Sequence, residues 1–100
     1  MSGDADPVMA DASFEAFEAA HRALGFDEVL VRDWQAGQVL ALHSHPFEVK
    51  ALVVRGEFVL ECEGSRRTVR AGEGFELPRE CPHAEHYGPE GATFWVARRH

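Results

Sequence analysis

The stretch Gly37 to Gly56, GQVLALHSHPFEVKALVVRG, constrains the chain most, because it sets His43 and His45 two residues apart in an extended apolar run. Residues two apart in a strand share a face, so the imidazoles stand about 6.5 Å apart at Cβ. That spacing lets a nitrogen of each ring reach one ion at about 2.0–2.1 Å, the usual imidazole–zinc distance. A third histidine closes Pro78-Arg79-Glu80-Cys81-Pro82-His83, after the turn Gly72-Glu73-Gly74 and the short run Phe75-Glu76-Leu77. Strand alternation beyond His83 places Glu85 and Tyr87 on its face and His86 on the opposite one.

The rest reads as short strands behind one helix. Residues 1–12 are small, acidic and interrupted by Pro7, a composition expected to be mobile. Behind a cap at Asp11 or Ser13, Phe14, Phe17, Ala20, His21 and Leu24 recur at spacings of three and four, and Gly25 is a left-handed stop, so 13–24 reads as a helix. A helix this short needs support, so Phe14, Phe17 and Leu24 are expected to lie on the strands or on a second subunit. His21, on the margin of that stripe, reads as a packed or solvated residue.

Period-two alternation over Asp27 to Trp34 sets Val29, Val31 and Asp33 against Leu30, Arg32 and Trp34. Pro46 has no N–H for a ladder, so the chain should leave the sheet just after His45 and carry Phe47 and Glu48 round a loop. Strands are then expected at 49–55, with Lys50 pointing away from Val49, at 58–63 after a turn at Gly56, and at 68–70 after a turn at Gly64-Ser65. Gly88-Pro89-Glu90-Gly91 reads as a turn before a last strand, Ala92 to Arg98. The pattern predicts one all-β domain over 13–100, a jelly-roll β-barrel with one short N-terminal α-helix.

A chain of 100 residues carrying a net charge of −7 repels phosphates, which excludes nucleic acid and anionic membrane surfaces as partners. No apolar run approaches the roughly 20 residues of a membrane span, and the acidic start is unlike a secretory signal, so the cytoplasm is expected. In that compartment Cys62 and Cys81 are expected as free thiols filling apolar slots, the alternative being a redox-sensitive Cys81 near the histidines. A barrel of this size buries only about 60–65% of its unfolded surface, so pairing into a homodimer is expected.

The order Gly37, five residues, His43-x-His45, later Gly56, then Gly72, five residues, Pro78 and His83 resembles the cupin family, over about residues 29–98. The resemblance implies a cupin barrel holding one divalent transition metal (Fe, Ni, Zn, Mn or Cu) through His43, His45 and His83. Two positions depart from the pattern. The slots for a metal-binding Glu hold Val49 and Lys50, with Glu48 one position short, and Glu80 stands where the second motif has Gly.

The fourth ligand is therefore Glu48, Glu85 or water, and Glu85, Glu48 and Tyr87 are the candidate catalytic residues. Glu85 has the better strand parity, since a one-residue shift turns Glu48 to the other face unless the loop brings it back. Either carboxylate could instead act from beside the ligands, holding an imidazole N–H or moving a substrate proton. Phe47, Phe58, Phe75, Tyr87, Phe94 and Trp95 are available as apolar lining or as core. The functions implied are a metal-dependent dioxygenase, isomerase or lyase acting on a small organic molecule, a non-catalytic metal-stabilised binding or sensing module, or a structural dimer.

Overall fold

The computed structural model describes residues 13–100; the segment 1–12, expected to be mobile, and Asp11, the alternative cap, lie outside the described residues. Helix α1 (Phe14–Ala23) starts where the Ser13 hydroxyl accepts from the Ala16 N–H at 3.0 Å, and it stops before Gly25 at φ +95°. Phe14 and Phe17 pack on Trp95 with ring centroids 6.0 and 5.8 Å away, which seats the helix on the outer face of the sheet. Leu24 does not join them: it is 58% exposed, and Phe26, just past the helix, takes the buried place instead. His21 is held inside the helix, its Nδ1 2.8 Å from the Phe17 carbonyl.

Six antiparallel strands follow: β1 (Glu28–Trp34), β2 (Val39–His43), β3 (Glu48–Cys62), β4 (Ser65–Arg70), β5 (Gly74–Leu77) and β6 (His83–Arg99). The long strands β3 and β6 pair along their whole lengths, Glu48 opposite Arg99 and Cys62 opposite His83. Each serves two sheet faces. The end of β6 lies between β1 and the start of β3, which pairs with β5; the start of β6 lies between β2 and the end of β3, which pairs with β4. The two faces close over a core in which Phe58 stacks on Tyr87 at 5.0 Å and meets Phe75 and Phe94.

Two expected turns are bulges instead. Gly56 lies inside β3, and residues 88–91 lie inside β6 as extra residues opposite Glu57, between the pairs Gly56–Ala92 and Phe58–Tyr87. Gly56 and Gly91 have φ of +75° and +68°, and a Cβ on Gly56 would overlap the Gly91 carbonyl oxygen. The two glycines let β3 and β6 bend together from one face of the barrel to the other. The turn expected at Gly64-Ser65 falls one residue earlier, on Glu63 and Gly64 at φ +53° and +80°, which leaves Ser65 paired with Cys62.

Candidate metal centre

β2 delivers His43, the loop before Pro46 delivers His45, and the first residue of β6 delivers His83, which the sheet sets directly opposite His43. The ring centroids are 4.2 Å apart for His43–His83, 4.8 Å for His43–His45 and 5.1 Å for His45–His83. Each ring offers a nitrogen within 4.8 Å of the others, a group that could hold a metal ion. The second loop is tied to the first motif by the Glu80 N–H, which donates to the His45 carbonyl at 2.7 Å. Glu80 has φ +60°. That left-handed backbone is the reason glycine suits this position.

The proton positions follow from the backbone. His83 Nδ1 lies 3.0 Å from the Cys81 carbonyl and His43 Nδ1 lies 2.6 Å from the Ala41 carbonyl. A carbonyl only accepts, so each Nδ1 carries the hydrogen and each neutral ring turns a lone pair inward from Nε2. His83 is 1% exposed and its Nε2 has no hydrogen-bond partner among the described residues. Glu85 Oε2 stands 3.3 Å from His83 Nε2 and 3.7 Å from His43 Nε2. Several lone pairs thus face one another, an arrangement that fits a bound cation.

Burial alone would lift the Glu85 carboxyl, but the facing His83 imidazole and the hydrogen bond from Tyr87 hold it below the usual range. Burial would lower His83, yet the facing Glu85 carboxylate and the Cys81 carbonyl raise it above an ordinary imidazole. His45 is lowered by burial and by the two neighbouring histidines. Tyr87 donates its hydroxyl to Glu85 Oε1 and is raised by burial and by that carboxylate.

Glu85 and Tyr87 therefore stand with the histidines, while Glu48 does not. Its side chain reaches Arg99 at 3.8 Å and borders a separate groove, so the strand parity that turns Val49 inward turns Glu48 away. Lys50 likewise points from the cavity, and His86 faces Glu61 on the other side of β6 at 3.5 Å. The triad opens onto a cavity of about 210 Å³, walled by Phe47, Phe75 and Phe94 with Val49, Leu77 and Val96. Phe58 and Tyr87 fill the core, and Trp95 lies under the helix.

Sequence reasoning missed Arg32, Trp34 and Arg98 as cavity residues. The available signal was the alternation of β1, which put Arg32 on the face of Leu30 and Trp34. Cys62 and Cys81 stand as free thiols with their sulfurs 3.0 Å apart, in hydrogen-bond contact.

Residues 25–99 match the family model described as the AraC-like ligand binding domain. Comparison with curated protein sequences finds no match. The fold is similar to KdgF from Halomonas sp. (TM-score 0.62, 23% identity, 72% of this chain and 67% of that one). It is also similar to an RmlC-like cupin from Shewanella frigidimarina (TM-score 0.61, 23% identity, 73% of this chain and 68% of that one). The DMSP lyase DddQ from Ruegeria pomeroyi is similar at TM-score 0.66 and 26% identity over 72% of this chain, which spans only 37% of that enzyme.

Proposed function

The chain belongs to the AraC-like ligand binding domain family, within the cupin superfamily, and on that footing we propose that it is a metal-dependent enzyme of dioxygenase, isomerase or lyase class. One divalent transition metal is held by His43, His45 and His83, and the substrate is a small organic molecule in the barrel cavity. The observation that carries this reading is the convergence of three imidazoles, the buried and unpartnered Nε2 of His83 among them, on the wall of a partly open cavity. A cavity of about 210 Å³ is smaller than the roughly 300–1,000 Å³ of pockets for drug-sized ligands, which favours a compact substrate.

When bound, the metal supplies Lewis acidity at open coordination positions. The chain's own residues do the rest. Glu85, ionised at neutral pH, keeps Oε1 on the Tyr87 hydroxyl and turns Oε2 toward the histidines and the cavity, where it can take a proton from a bound substrate. Tyr87 stays protonated and fixes the carboxylate's orientation. A second role for Glu85, as fourth ligand, is favoured by its 3.3 and 3.7 Å distances to two imidazole nitrogens, the spacing of neighbouring ligands on one ion.

The second functional reading is a non-catalytic binding or sensing module, favoured by the description of the family as ligand binding. Turnover separates the two: the metal-loaded protein is assayed for substrate loss and oxygen uptake across small organic acids, diols and sugars. Turnover that disappears in His83→Ala supports the enzyme, and saturable binding without turnover supports the module. The homodimer has in its favour β2, which among the described residues pairs only with β6 and exposes Val39 and Leu42 at 60% and 71%. Cytoplasmic residence is consistent with the absence, among the described residues, of any helix long and apolar enough to cross a membrane.

A further inference from the structure

The cavity holds a second set of unsatisfied groups, and these are hydrogen-bond donors. Trp34 Nε1 and Arg98 Nε are both buried without an acceptor among the described residues. Arg32 lays its guanidinium over the Trp34 ring, 4.5 Å from the centroid, and has no carboxylate partner among the described residues. All three residues line the cavity of the histidine triad. Arg98 is already partly neutralised, with Nη1 3.3 Å from Glu28 and the guanidinium 4.8 Å above Phe47. Arg32 is not.

The polarity of the cavity is therefore divided. Imidazole nitrogens and Glu85 contribute lone pairs to its lining, and Arg32 contributes a guanidinium without a carboxylate partner among the described residues. Glu85, the carboxylate lining this cavity, is occupied by Tyr87 and the histidines. A neutral, apolar occupant would leave that guanidinium desolvated and unpaired, which is costly; a carboxylate satisfies it, because a guanidinium fork matches its two oxygens.

We propose that the occupant is a small organic acid and that Arg32 is the specificity-determining residue that pairs with its carboxylate. The Trp34 ring face supports that guanidinium, and the aliphatic part of the acid lies against Phe94 and Val96. This deepens the reading of the cavity as a small-molecule site and rests on it, but the carboxylate contact itself does not require the metal.

The test is calorimetric titration of the zinc-loaded and the chelator-treated protein with matched acids and amides: propanoate against propanamide, and 2-hydroxybutanoate against its amide. The acids should bind at least about tenfold more tightly than the amides in both preparations. Arg32→Gln should abolish that preference while keeping the zinc content and the melting temperature, and Arg32→Lys should restore part of it. Equal binding of acid and amide, an undiminished preference in Arg32→Gln, or no saturation by either acid at tens of millimolar overturns the proposal. Acid preference in a protein that takes up no zinc would defeat the metal reading alone, and zinc uptake without acid preference would defeat this one alone.

Discussion

The Glu80 N–H donates to the carbonyl of His45 across 2.7 Å, so the loop that leads into His83 at the start of β6 is pinned to the loop that carries His45. The bond is made from a backbone at φ +60°, which costs a side-chain-bearing residue roughly 1–2 kcal/mol and glycine almost nothing. Glu80→Gly should therefore raise stability by about 1 kcal/mol in urea denaturation and leave metal binding unchanged. Glu80→Pro, which removes the N–H and cannot reach positive φ, should lower both. Equal stability of wild type and Glu80→Gly would show that the strain is absent.

Metal uptake should rise with pH, because a protonated imidazole cannot coordinate. Glu85 and the Cys81 carbonyl hold His83 above its ordinary 6.5, so the midpoint of the rise should lie above that value. Glu85→Gln removes the largest raising influence, and the midpoint should then move to lower pH. Metal affinity above the midpoint should fall about 10–100-fold if Glu85 acts from beside the ligands. Complete loss of metal would assign it the fourth coordination position. An unmoved midpoint would contradict the coupling of His83 to Glu85.

Cys62 and Cys81, with sulfurs 3.0 Å apart, should join when the protein is treated with diamide, each thiol losing one hydrogen to the azo reagent as the S–S bond forms. Thiol titration should fall from two groups to none, and Cys62→Ser should retain one. The Cys62 thiol is pushed to about 11 by its bond to Cys81 and by burial. Since the thiolate is the nucleophile, the reaction should accelerate as pH rises toward that value. Two thiols that survive diamide in the folded protein would contradict the geometry.

Leu42→Glu, on the unpaired edge of β2, should convert a dimer to a monomer in sedimentation without loss of the barrel's circular dichroism. A wild-type monomer at micromolar concentration would end the dimer proposal.

Much of the site was legible because strand parity is local. The i, i+2 spacing brought His43 and His45 to one cluster, and alternation beyond His83 sorted Glu85 and Tyr87 from His86. The same parity argued against Glu48, which the structure pairs with Arg99. What failed was decided by distant partners. Gly56 and Gly88–Gly91 carry the local signals of turns, yet the pairing of β3 with β6 absorbs both as bulges. Leu24 has the spacing of a packed residue, but the last helical turn swings it outward and leaves the space to Phe26. Arg32 and Arg98 face a cavity that is otherwise lined largely by apolar residues; alternation set Arg32 on the face of Leu30 and Trp34, but which face of β1 meets the cavity is decided by its pairing with β6.

The convergence of His43, His45 and His83 on one ion is tested most directly by elemental analysis of untagged protein and of four single alanine variants. About one transition metal per chain is expected in the wild type and in His86→Ala, with loss in His43→Ala, His45→Ala and His83→Ala. A wild type that takes up no metal, a His83→Ala variant that keeps it, or equal loss in His86→Ala would contradict the shared centre.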